Sequence, residues 1–169
     1  ITDAQLEKAK AILPIRERVN RVKTFRENSS AGQNLKDRPH QFRETNTTSN
    51  LSVIIPSVSS EKRLYIPIGF VTTETIITNL AFAIYDCEPW IFGLLTSKIH
   101  QLWIRIVCGR LEERIRYSST LGYNTFPFPE IDEGKKTVIK ECVKRVIAAR
   151  ELRCGESMAQ MYNKDKMSK

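Results

Sequence analysis

The segment that most restricts the fold is residues 88–107, where Trp90, Ile91, Leu94, Leu95, Lys98, Leu102 and Trp103 recur at intervals of three and four. That spacing stacks side chains on neighbouring turns of a helix, and here nearly every face is apolar. Such a helix needs cover on several sides, so it is expected at the centre of the core, with Gly109 as its C-cap. Short runs rich in Ile, Val, Phe and Tyr lie around it: residues 51–55, 64–71 and 81–85 before, and 110–121 after. These read as strands, the first three in one sheet. The expected class is α+β, with a mixed, twisted sheet packed on the central helix. A length of 169 residues with 41% hydrophobic side chains suits one real core and excludes a wholly disordered chain.

Both flanks read as helical and basic. Over residues 2–28, Leu6, Ala9, Ile12 and Leu13 have helical spacing, with Thr2 or Asp3 as N-cap and a kink or restart at Pro14. The second half sets Val19, Val22 and Phe25 among Arg16, Arg18, Arg21, Lys23 and Arg26. Residues 28–50 then lose periodicity and read as a long loop that orders against a partner. Towards the other end, residues 132–153 form a helix whose stripe is Val138, Ile139, Cys142, Val143, Val146 and Ile147, stopped by Gly155 and followed by a turn at 158–162. The expected division is a domain over residues 1–131 and a helical C-terminal extension over 132–169.

Charge and missing motifs narrow the function. The chain carries 27 Lys and Arg against 19 Asp and Glu, a net +8, which favours an anionic partner. It has no GxGxxG, P-loop, HExxH or NPPY-like loop, and its two histidines support no Ser-His-Asp arrangement. His100, on the core helix, reads as a packing residue. Cys87, Cys108, Cys142 and Cys154 are too widely spaced for a zinc or redox pair and read as mostly buried cytosolic thiols. No metal ligand set is expected. Neither a membrane-spanning run nor a signal-peptide core is found, and a start at Ile1 suggests a piece of a longer cytoplasmic protein.

The sharpest local pattern is residues 110–117. In one continuous strand, Arg110, Glu112, Arg114 and Arg116 share a face while Leu111, Ile115 and Tyr117 share the other. An arginine-rich face with one carboxylate has the groups that read base edges: guanidinium pairs with guanine O6 and N7, and carboxylate accepts from the cytosine amino group. A cross-strand salt-bridge face is the other explanation of the same pattern.

The blocks VIIPSVSSEKRLYIPIGF, AFAIYDCEPWIFGLLTSKIHQLWIRIVCGRLEERIRYSSTLGYNTFPFPE and MAQMYNKDKMSK resemble the C-terminal part of Mme-type DNA methyltransferases, the single-chain type IIL restriction-modification enzymes and their methylase-only relatives. The resemblance covers residues 10–169. It implies a target-recognition domain for double-stranded DNA, attached to a methylase domain of the same polypeptide that binds S-adenosylmethionine and methylates adenine N6. It further implies base reading by Glu112, Arg114 and Arg116 in one cluster and by Ser57, Asn79 and Leu80 in others. Glu112 with Arg114 suits a C·G pair, and Arg116 a purine. Phosphate contact is expected of Arg63, Ser118 and Arg110. Ser59, Ser60, Tyr65, Tyr117, Tyr123 and Asn124 are of types that position phosphates or shape the core. The methylase motif is missing, so no catalytic residue is assigned here. Two further readings are a protein-interaction module, using the 132–153 stripe and the Phe126 to Phe128 run to bind a subunit, and general RNA binding.

Overall fold

The computed structural model describes residues 3–167 and divides after Thr45 into two compact units. In the first, α1 (Asp3–Lys10) and α2 (Leu13–Glu27) are separate helices, with Pro14 in the first turn of α2, where its missing N–H leaves no helical bond unmade. Thr2 lies outside the described residues. No side chain of α2 is buried, and Phe25 is exposed. The loop after α2 is ordered by its own chain. Arg26 Nη1 donates to the carbonyls of Leu35 (3.1 Å) and Arg38 (2.7 Å), and Nη2 to that of Gln41 (2.9 Å), around a 3-10 turn at Gln33–Leu35. Gly32 allows this return, since a Cβ there would stand 2.8 Å from Arg26 Cα.

The second unit holds the α+β core. Its strands are β1 (Ser52–Pro56), β2 (Val58–Ser59), β3 (Gly69–Val71), β4 (Ala81–Ile84), β5 (Arg110–Leu111) and β6 (Arg114–Arg116). In place of one mixed sheet there are two sheets of three strands, ordered β3-β1-β4 and β2-β6-β5, antiparallel throughout. The three runs expected to share a sheet do so, but residues 64–68 do not pair as a strand. Pro67 brings no N–H to a ladder, and the neighbouring amides go elsewhere: Leu64 N to Tyr162 O, and Ile66 N to Gln101 Oε1. Ile66 and Ile68 are nevertheless buried core side chains.

The central helix is broken at Ser97 into α3 (Pro89–Thr96) and α4 (Lys98–Val107). Ser97 takes an extended conformation and its hydroxyl accepts from His100 N, which makes it the N-cap of α4. The carbonyl of Leu95, freed by the break, accepts from buried Gln101 Nε2. α4 ends with Cys108 extended, and Gly109 has no left-handed conformation, so the chain passes directly into β5. Phe92, Leu95 and Ile104 pack with Val53, Ile55, Ile115 and Tyr117 in one cluster.

The last helices are α5 (Glu133–Glu151), capped by Asp132, and α6 (Met158–Met161), opened by a Ser157–Gln160 capping box. The stripe of α5 differs from expectation: Val143 is buried and Ile139 packs on the core, whereas Val138 and Cys142 are exposed. Cys154 is exposed as well, so two of the four thiols lie outside the core. Arg150 lies over the rings of Phe92 and Tyr162 and donates to Tyr162 Oη (2.9 and 2.6 Å), tying α5 to the C-terminal segment.

Gly93 sets the approach of α3 to α5, because a Cβ there would stand 2.4 Å from Ile139 Cγ2 and 3.0 Å from Val143 Cγ2. Alanine is the better helix former by about 1 kcal/mol, yet overpacking at this contact outweighs it. Gly93→Ala is expected to destabilise the protein by about 1–2 kcal/mol net, read as a lower urea midpoint. Adding Ile139→Ala should recover part of that loss by making room for the methyl.

Candidate nucleic-acid interface

Residues 110–116 form a hairpin, not one continuous strand. β5 and β6 pair Arg110 with Ile115 and Leu111 with Arg114, leaving Glu112 and Glu113 as a two-residue loop in which Glu112 has φ 58°. A positive φ at this place suits the twist of a tight hairpin, although a glutamate adopts it uncommonly. Directly paired residues point to the same side of an antiparallel sheet. The exposed side therefore carries Arg114, Arg116 and Leu111, and the inner side carries buried Ile115. This corrects the expected face at two positions: Arg110 falls on the side of Ile115, and Leu111 joins the arginines. Glu112 remains with them through the turn, its carboxylate 2.7 Å from Arg114 Nη2.

β2 extends this surface. Val58 pairs with Arg116 and Ser59 with Ile115, so Val58 continues the exposed side while Ser59 is buried beneath it. Beyond β2, Ser60, Glu61 and Lys62 line a groove together with Glu112, Glu113 and Arg114. Between β1 and β2 lies a single residue, Ser57, where the chain crosses from one sheet to the other. Its N–H and hydroxyl both donate to the carbonyl of Leu80 (3.1 and 2.7 Å), and its carbonyl accepts from Tyr117 N (2.9 Å). Leu80 is 74% exposed and Asn79 is exposed beside it. Three segments far apart in sequence, at 57, 79–80 and 111–116, thus meet where the two sheets join.

The Glu112–Arg114 pair is solvent-exposed, so it adds little to stability. Its chemistry is more telling, because it holds two acceptor oxygens beside a fork of donors. The side chains of Arg116 and Arg110 are exposed, and their guanidinium groups have no hydrogen-bonded or ion-paired partner among the described residues. Arg63 is half-buried and its Nε has no partner, while its carbonyl accepts from Arg105 Nη2 (3.2 Å). Ser118 is engaged within the chain: its hydroxyl accepts from Leu121 N (3.2 Å), capping a π-helical turn at Ser119–Tyr123, and meets Thr120 Oγ1 at 2.9 Å. Tyr117 is buried in the core and burial pushes its phenol up; Tyr123 packs edge-on against Phe128. Sequence reasoning missed Leu111 as a surface residue because Glu-Glu is no turn signal, unlike Asn-Gly or Asp-Gly.

Part of the surface needed by the subunit-binding reading is taken up by the fold, while Val138, Cys142 and Phe128 remain exposed. Val143 and Phe126 are buried, Ile139 is packed on α3, and Phe126 stacks edge-on against His100 and Phe128. No cluster of three or more His, Cys, Asp or Glu side chains suited to a metal ion occurs among the described residues. Nor is any described helix long and apolar enough to cross a membrane.

Comparison with known proteins decides the family, since the profile of the MmeI target recognition domain matches residues 1–130. The chain belongs to that family. DNA methyltransferase A of Bacillus subtilis (strain 168) is 41% identical over 169 residues, 99% of this chain and 19% of that protein. The solved structure of the type IIL restriction-modification enzyme MmeI in complex with DNA superposes with a TM-score of 0.89 at 37% identity, over 98% of this chain and 22% of that one. The chain therefore spans about a fifth of the length of the relatives it matches. The structural match extends beyond residue 130, in keeping with the packing of α5 on α3.

Proposed function

We propose that this MmeI-type target recognition domain reads the sequence of double-stranded DNA on the surface where its two sheets join, on behalf of a DNA adenine-N6 methyltransferase of a restriction-modification system. The observation that carries the reading is the convergence at Ser57: this one residue is bonded to Leu80 on one side and, on the other, to Tyr117, which directly follows the strand of Arg114 and Arg116. Glu112 and Arg114 together match a C·G pair, whose major-groove edge offers an amino donor beside the O6 and N7 acceptors. Arg116 takes a purine at a neighbouring position, and Asn79 and Leu80 extend the reading surface past Ser57. Arg110, Arg63 and Ser118 are the phosphate-contacting residues, Arg110 and Arg63 through their unpaired guanidinium groups and Ser118 through its hydroxyl alongside its capping role. Contacts of this kind set register without reading sequence.

Methyl transfer belongs to the remainder of such a protein. S-adenosylmethionine would supply the methyl group there. Among the described residues, the cleft of about 370 Å³ beside Tyr65, Val146 and Met161 does not fit it, because its lining holds no carboxylate to take the ribose hydroxyls or the ammonium group. The domain's task is then to place the target duplex so that the attached methylase domain can act on an adenine drawn out of the stack. In organisation, residues 1–131 supply target recognition and residues 132–169 a helical extension that buttresses it through α5.

The test is selection from a randomised duplex at fixed salt, using the full-length protein and its Arg114→Ala, Arg116→Ala variant. The native protein is expected to select one motif, and the variant the same motif with one or two positions relaxed. Identical motifs from both would make the hairpin structural and overturn the reading.

A further inference from the structure

Leu111 is 44% exposed, lies directly opposite Arg114 in the hairpin, and is not among the side chains packed on the core. Isolated exposed leucines are ordinary on protein surfaces. This one is distinguished by its neighbours, for it shares one side of a three-stranded sheet with Arg114, Arg116 and Val58, and adjoins the Glu112–Arg114 pair. Side chains directly opposite across an antiparallel pair have Cβ atoms about 5 Å apart. Successive base pairs are about 3.4 Å apart along the duplex axis. A side chain beside Arg114 therefore reaches the base pair that Arg114 reads or the one next to it. On major-groove edges the apolar group offered to a leucine is the 5-methyl of thymine.

We infer that Leu111 is a further specificity-determining residue, packing on the 5-methyl group of a thymine in the base pair adjoining the one read by Glu112 and Arg114. The inference rests on the proposed reading of DNA by this hairpin and deepens it. Glu112 and Arg114 select by hydrogen bonding, and Leu111 adds shape selection at the next step, disfavouring cytosine, whose edge presents an amino group and no methyl.

The experiment uses the full-length protein, its Leu111→Ala variant and its Arg114→Ala variant, with the duplex selected by the native protein. Each thymine is replaced in turn by deoxyuridine, which removes only the methyl. The native protein is expected to bind about fourfold more weakly at one such replacement, the value of one buried carbon. Leu111→Ala should show no difference between thymine and uracil there, while keeping the guanine preference attributed to Arg114. Arg114→Ala should lose that preference and still distinguish the methyl. Indifference of the native protein to every replacement overturns the inference, as does a Leu111→Ala protein weakened equally on all duplexes. If Arg114→Ala also leaves the selected motif unchanged, the underlying reading fails with it; if Arg114→Ala relaxes the motif, only the role of Leu111 is lost.

Discussion

Exchanging Glu112→Arg together with Arg114→Glu is expected to invert one base pair of the recognised sequence, from C·G to G·C, and to leave the other positions unchanged. The two side chains already touch at 2.7 Å and are exposed, so the reversed pair keeps an ion pair, similar reach and the same hairpin. The backbone conformation of residue 112 is set by the two-residue loop, and arginine meets it with no more strain than glutamate. On DNA the donors and acceptors change places: the guanidinium now lies where the cytosine amino group was, and the carboxylate where O6 and N7 were. Each mismatched contact is worth about 1–3 kcal/mol, so two together amount to a preference change of about two orders of magnitude or more.

The single substitutions sharpen the interpretation. Arg114→Glu alone puts two carboxylates side by side against a base edge and should abolish tight binding, whereas the double exchange restores it on the inverted site. Competition between duplexes differing only at that base pair, using the full-length protein, gives the readout. Retention of the original preference by the double variant would show that the pair touches no base. Loss of binding on both duplexes, with the hairpin intact by circular dichroism, would place the pair against phosphate or against another part of the protein.

How much of this was legible in the sequence differs from element to element, for physical reasons. The three strands of the first sheet, the buried helix and α5 were readable because alternation and three-to-four spacing report burial directly. The break at Ser97 was not, since a serine within an apolar helical run can face inward or cap, and the choice is made by Gln101, which bonds Leu95 and Ile66 from inside the core. Residues 64–68 looked like a strand because they are buried, yet their amides bond to a glutamine side chain and to the C-terminal segment. Composition cannot separate those partners from a strand ladder. The loop after α2 reads as polar and irregular, and only three-dimensional contact shows that Arg26 holds three of its carbonyls.

That Glu112, Arg114 and Arg116 share one side was legible from alternation, but the hairpin was not. Glu-Glu is a poor turn signal, and the reversal at that point exchanged the expected sides of Arg110 and Leu111. The meeting of Ser57, Leu80 and Arg116 depends on a bond across 23 residues and a strand pairing across 58, which no local pattern encodes. Family resemblance supplied those positions, and the hydrogen bonds of Ser57 supply the reason they share one surface.

His100 leads to the second large effect, on stability. The imidazole is fully buried between Tyr117 Oη, 3.3 Å from Nε2, and the ring of Phe126, and Nδ1 has no partner. Burial disfavours the charged form and lowers its pKa from the ordinary 6.5 to about 4. As the pH falls below about 6.5, the unfolded chain takes up a proton here that the folded chain refuses until about pH 4, so stability declines through that window. The loss between pH 7 and 4.5 is about 2–3 kcal/mol. Asp86, Glu88, Asp132 and Glu156 are held below their ordinary values of 3.8 or 4.5 by hydrogen bonds and ion pairs, and their acid losses have the same sign but fall at lower pH. Urea unfolding from pH 7.5 to 5.5, above the ordinary values of those carboxyl groups, therefore isolates the imidazole. His100→Gln should be less stable than the native protein at pH 7 and nearly insensitive to pH over this range. A variant that kept the native slope would show that the acid sensitivity arises from another group and that His100 gains its proton in the folded state.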